Sequence, residues 1–152
     1  MADSHFIKTL IEPAMRGWLT DRYGGVFTER EMPLRWGGQG TGTFRFDAVN
    51  EDATILACLS TTGSFKAGQR HKLMRDATFM WLVPTAKTRL LAVIDPQVAS
   101  ALIKELQCGR LPPQTEVKVV ELPADLSNQI GRFRIFAGEE VGGSKKRSLG
   151  LR

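Results

Sequence analysis

Residues 44–82 read FRFDAVNEDATILACLSTTGSFKAGQRHKLMRDATFMWL, and the changes of hydrophobic period within them decide the fold. Thr43 to Val49 alternates, with Phe44, Phe46 and Ala48 on one side and Arg45 and Asp47 on the other, as in a half-buried strand. Asn50-Glu51-Asp52 is a tight connection, and Ala53 to Thr61 returns as a more apolar, more central strand. A hairpin folded about Glu51 sets position 47 against 56 and puts Leu56, Cys58 and Ser60 on the side of Asp47. From Lys66 to Leu82 the spacing becomes helical, with Leu73, Met74, Ala77 and Trp81 as the buried stripe and Pro84 as the stop.

Working outward, Ser4 to Arg22 carries Phe6, Ile7, Leu10, Ile11, Ala14, Trp18 and Leu19 at helical steps. Pro13 has no N–H for the Thr9 carbonyl and pushes Glu12 away from helical angles, so a kink or a restarted helix is expected there. Gly24-Gly25 ends this helix. Val26 to Trp36 is a strand that Pro33 confines to an edge or a bulge, and Gly37 to Gly42 is a turn. Downstream, Thr88 to Ile94 is an apolar strand covered on both faces. Asp95-Pro96 starts a helix that runs to about Gln107, with Gly109 just past its end. Thr115 to Leu122 is a last clear strand, and Pro123 to Glu140 has no decisive pattern, being compatible with a short helix followed by a strand over Arg132 to Phe136. The order α-β-β-β-α-β-α-β predicts an α/β domain over residues 1–141, a mixed central sheet flanked by helices, followed by a flexible basic tail at 142–152.

Composition narrows the function classes. The 152 residues are 42% hydrophobic and 24% charged, ordinary globular values. No apolar run is long enough for a membrane span, and the N-terminus lacks a secretory layout, so a cytoplasmic protein with no membrane partner is expected. Cys58 and Cys108 stand alone, which argues against a disulfide framework or a zinc site. The net charge of +5 is misleading as a sign of nucleic-acid binding. Of 21 Lys and Arg, four (Lys145, Lys146, Arg147, Arg152) follow Val141, where there is no acid, leaving 17 against 16 in the body. Any case for a polyanion partner therefore rests on where the cations cluster.

The layout of residues 4–106 resembles the core of the restriction-endonuclease-like superfamily, the PD-(D/E)XK nucleases. There a leading helix, a three-strand meander, a polar loop, an amphipathic helix and a further strand follow in this order. The resemblance implies that Asp47 matches the first metal-binding acid and that Glu12 matches the acid some members carry on the first helix. The acid-x-Lys motif falls on Cys58-Leu59-Ser60 or on Ala57-Cys58-Leu59, neither of which supplies a carboxylate or a lysine. Mg²⁺ prefers hard oxygen ligands, so this departure implies lost or altered catalysis. Lys66 is the candidate replacement for the missing lysine, and Ser60 completes the catalytic candidates with Asp47 and Glu12. Asp47 is the metal candidate. No cofactor is expected for a binding protein, and Mg²⁺ for a catalytic one.

The densest cations in the body are Lys66, Arg70, His71, Lys72 and Arg75, with Asp76 the only nearby acid. Beside the hydroxyl-rich stretch Ser60 to Ser64 and a helix start, Lys66, Arg70, Lys72 and Arg75 are the candidate phosphate contacts for DNA or RNA. A solvated helix face would have the same composition. Three readings follow: a nucleic-acid-binding domain with an endonuclease-like fold and a degenerate site, an active metal-dependent nuclease with a rearranged site, and a non-catalytic module that pairs with another protein or a second copy of itself.

Overall fold

The computed structural model describes residues 5–35, 42–61 and 65–131. It is an α/β structure built on one five-stranded mixed sheet with helices on both faces. The strands are β1 (Thr28–Leu34), β2 (Gly42–Val49), β3 (Ile55–Ser60), β4 (Thr88–Val93) and β5 (Thr115–Val119), and they lie in chain order across the sheet. The first three form an antiparallel meander; β3, β4 and β5 run parallel. The helices are α1 (Glu12–Tyr23), α2 (Ala67–Trp81) and α3 (Pro96–Gln107), and residues 124–131 form a fourth, α4.

The expected interruption at Pro13 takes a specific form. Ile7–Ile11 is a π-helical turn, and the Glu12 N–H bonds to the Ile7 carbonyl, five residues back. The ladder thus slips by one residue just before the proline that cannot donate to it. Glu12 keeps right-handed helical angles (φ −61°, ψ −44°), contrary to the expectation that Pro13 displaces it, because the wider turn absorbs the clash. Gly24 and Gly25 follow with φ of +80° and +77°, a conformation that suits glycine and stops α1.

Side-chain alternation sorts the core into two layers. Phe46, Leu56, Cys58, Leu91 and Val93 pack under α2 and α3 with Leu73, Ala77, Met80 and Leu102. Ala48, Ala57, Leu59, Leu90 and Ala92 pack under α1 with Ile11, Met15 and Leu19, and Leu126 and Ile130 of α4 join them. Burying such side chains contributes roughly 1.5–3 kcal/mol each, which is what holds the helices to the sheet. Met80, rather than the expected Trp81, completes the buried stripe of α2, and Trp81 is 52% exposed. The Met80 and Val83 carbonyls accept hydrogen bonds from the buried Arg89 of β4, which ties the C-terminal end of α2 to the sheet. Asp95 caps α3 as its sequence suggests, accepting from the Gln97 N–H at 2.8 Å.

Two differences in the meander matter for the site. The hairpin loop runs from Asn50 to Thr54, held by Asn50 Oδ1 on the Ile55 N–H and Asp52 Oδ1 on Thr54, with Ala53 at a φ of +58°. This longer loop pairs Ala48 with Ala57 and Val49 with Leu56, so the register expected from a turn about Glu51 is displaced by two residues. Second, Thr28 pairs with Val49 but Arg30 pairs with Phe46, so Asp47 and Ala48 together oppose Glu29 alone. That is a β-bulge, and it carries Ala48 to the α1 face while Phe44 and Phe46 stay under α2. The turn over Gly37 to Gly42 lies largely outside the described residues. The strand over Arg132 to Phe136 and the tail from 142 lie wholly outside them.

Candidate functional site

The bulge makes position 47 unlike any other in the sheet. Pairing of β2 with β3 covers only Ala48 and Val49, and beyond it the ladder is continued by a side chain. Asp47 Oδ2 accepts the Leu59 N–H at 2.8 Å, taking the place of a backbone carbonyl. Its own carbonyl oxygen accepts from Arg16 Nε of α1, also at 2.8 Å. Arg16 in turn reaches Glu12 Oε1 at 3.4 Å. Asp47 and Glu12 are therefore brought together, and both expected positions fall on the side where α1 covers the sheet.

Burial pushes the Glu12 carboxyl above its ordinary range, and the charge of Asp47 adds to the rise, while Arg16 and Lys8 pull it down. A cleft of about 300 Å³ opens beside Glu12, lined by Lys8, Glu12, Arg16, Phe27, Thr28 and Glu29. Its lining charges balance, Lys8 and Arg16 against Glu12 and Glu29, and Glu29 also pairs with Arg45 at 3.0 Å.

Ala57 and Leu59 share the α1 face with this pair, whereas Cys58 belongs to the layer under α2. Of the two alignments for the acid-x-Lys motif, Ala57-Cys58-Leu59 is thus the one whose outer positions face Glu12, and both are apolar. Ser60, by the same alternation, lies under α2; it is buried, and its hydroxyl has no hydrogen-bond partner among the described residues. Lys66 is the exposed residue preceding α2. The four catalytic candidates are split between the two faces rather than gathered.

Mg²⁺ is the ion a nuclease would require, and the donors fit it poorly. One Asp47 oxygen is committed to Leu59, Glu12 is engaged by Arg16, and no group of three or more acidic, histidine or cysteine side chains converges among the described residues. Octahedral coordination by oxygen needs more anchors than these. Cys58 adds none, because burial pushes its thiol well above the usual range and keeps it neutral.

The cations of α2 are arranged differently from a merely solvated face. Arg70 pairs with Glu105 of α3 at 2.7 Å, and Arg110 binds the same carboxylate from beyond the helix. Arg75 donates through Nε and Nη2 to Asp76 and lies over the Phe44 ring. In each pair the acid is inside and the cation outside. The Glu105 and Asp76 side chains are 7% and 4% exposed, against 39% for Arg70 and 51% for Arg75. His71 and Lys72 are exposed beside them.

Asp76 and Glu105 are the residues that sequence reasoning missed. Asp76 reads as a stray acid in a basic run, yet it is buried, and desolvation raises its carboxyl against the pull of Arg75 and Lys72. The signal was its spacing, three after Leu73 and four before Met80, on the buried stripe. Glu105 carried the same signal, three after the buried Leu102, but its partner Arg70, thirty-five positions away, carried none. Comparison with family models, curated proteins and solved structures finds no match to this chain.

Proposed function

We propose that this chain is a nucleic-acid-binding domain on an endonuclease-like scaffold whose cutting site has eroded. The observation that carries the reading is the polarity of the ion pairs on α2, where buried carboxylates hold exposed guanidinium groups in place. A guanidinium has five N–H donors, so one that is anchored to an acid on its inner side keeps donors free on its outer side. Held that way, it loses less conformational entropy on meeting a phosphate than a free lysine does. Lys66, Arg70, Lys72 and Arg75 are the contacts expected for the phosphate backbone, giving attraction that does not depend on base sequence.

The scaffold reading rests on layout: a leading helix with Glu12, a meander with Asp47 at its bulge, then α2 and the parallel β4. Apolar Ala57 and Leu59 stand where the second acid and the lysine would be. These residues lack the donors that would hold a metal and activate water, which favours binding without hydrolysis.

The test is binding of labelled DNA and RNA oligonucleotides followed by fluorescence anisotropy over a range of salt. Four phosphate contacts to duplex DNA predict a log–log salt slope of about −3 to −4. The double change Lys72→Glu with Arg75→Glu should weaken binding at least tenfold, a loss of about 1.4 kcal/mol or more. An absence of binding at low salt, or a double variant that binds as the parent does, overturns the proposal. Cleavage of either nucleic acid with Mg²⁺ or Mn²⁺ would overturn the eroded-site part of it.

A further inference from the structure

The geometry points to Asp47 as a structural fastener in place of a metal ligand, and hence to a domain that grips its ligand without any divalent ion. The second half of that statement rests on the proposed nucleic-acid reading; the first half does not. Asp47 joins three elements at one point. Its carboxylate closes the β2–β3 ladder by accepting the Leu59 N–H, and its carbonyl anchors Arg16 of α1. Backbone pairing of the two strands stops at Ala48, so without this carboxylate the N–H of a buried residue at the centre of the sheet has no acceptor. An unpaired buried donor is costly, which gives the bulged Asp47 a reason to be an acceptor that owes nothing to metal chemistry.

The two roles make opposite demands on the side chain. A metal ligand needs the negative charge, so Asp47→Asn removes it. A fastener needs only an acceptor oxygen, which asparagine keeps and alanine does not. Glu12 agrees with the second role. Its carboxylate points to Arg16, the residue that holds the Asp47 carbonyl, and so supports the joint from the helix side.

The deciding experiment is thermal denaturation of the whole chain as wild type, Asp47→Asn and Asp47→Ala, each with EDTA and with millimolar Mg²⁺ or Mn²⁺. The fastener predicts that Asp47→Asn melts within about 2 °C of wild type, that Asp47→Ala melts about 5 °C lower or fails to fold, and that neither ion shifts the midpoints. A metal-dependent rise in the wild-type midpoint that is lost in Asp47→Asn overturns the assignment, as does an Asp47→Asn protein that is no more stable than Asp47→Ala. Oligonucleotide affinity measured on the wild type and on Asp47→Asn should be the same in EDTA as in Mg²⁺ at matched ionic strength. A tenfold or larger gain with Mg²⁺ that disappears in Asp47→Asn overturns metal-independent binding. If no oligonucleotide binds at all, the nucleic-acid reading fails, while the melting data still decide the role of Asp47.

Discussion

Arg75 lies over the ring of Phe44, with its guanidinium carbon 5.3 Å from the ring centroid, while Nε and Nη2 of the same group donate to Asp76 Oδ1 at 3.1 and 2.9 Å. A helix side chain is thereby clamped between a carboxylate below it and an aromatic face on β2. Phe44 is itself braced by Phe46 and Phe79, whose ring centroids are 5.0 and 4.9 Å away. Replacing Phe44 with leucine keeps the apolar volume and removes the π face. Oligonucleotide affinity should fall about two- to fivefold, which corresponds to the roughly 0.5–1 kcal/mol of an exposed cation–π contact. Anisotropy titrations on a variant with unchanged circular dichroism measure this.

Arg89 should be among the least replaceable residues of the chain. It is buried, desolvation lowers its affinity for the proton, and its guanidinium donates to the carbonyls of Met80 and Val83 at 2.7 and 3.0 Å. Arg89→Met fills most of the volume but removes two charge-assisted hydrogen bonds, leaving the Met80 and Val83 carbonyls the weaker N–H contacts of Val83 and Ala86 at 3.3 and 3.2 Å. A loss of about 2–4 kcal/mol is expected in urea denaturation. Arg89→Lys should recover only part of it, because one ammonium does not reproduce the fork of the guanidinium.

The N-cap of α3 gives a smaller, local effect. Asp95→Ala removes the acceptor for the Gln97 N–H and should cost about 1 kcal/mol, with Asp95→Asn restoring most of it. Denaturant midpoints at constant slope separate the two. A variant as stable as the parent would show that Pro96 alone sets the start of this helix.

Stability should also carry a pH signature from Glu12. Its carboxyl is raised in the folded state from the ordinary value of 4.5, first by burial and then by Asp47. The native protein therefore binds this proton more tightly than the unfolded chain does. Stability is favoured at low pH and declines as pH rises from near 4.5 through the folded value. Glu12→Gln should be slightly more stable than wild type at pH 7, by less than about 1 kcal/mol because the Arg16 pair offsets part of the burial cost, with the difference vanishing in acid. Melting curves of both proteins across that window test the sign. A Glu12→Gln variant less stable at pH 7 would mean that the Arg16 pair outweighs burial.

The parts of the fold that sequence made legible are those set by single residues with a stiff backbone preference. Pro13 marks the break before α1, Pro33 marks the edge strand, and Asp95-Pro96 marks the start of α3. What stayed illegible depended on neighbours distant in the chain. The pattern Phe-Arg-Phe-Asp-Ala alternates through position 48 and so puts Ala48 with the phenylalanines; the bulge at Asp47 that sends Ala48 to the other face appears only opposite Glu29 of β1. The register of the hairpin turned on Ala53 at positive φ, a position where glycine or asparagine would have been a signal and alanine is silent. Likewise the reach of Arg16 to the Asp47 carbonyl and the anchoring of Arg70 by Glu105 required knowing how each helix lies against its neighbours.

The inward placement of acids on α2 and α3 has a consequence for charge engineering. Glu105 restrains two arginines at once, Arg70 and Arg110. Deleting its carboxylate makes the chain formally more cationic and at the same time releases both guanidinium groups to wander. An electrostatic tally would score that substitution as an improvement for a polyanion partner. Preorganisation scores it as a loss, because what a phosphate meets is the geometry of the arginines and not the sum of the charges.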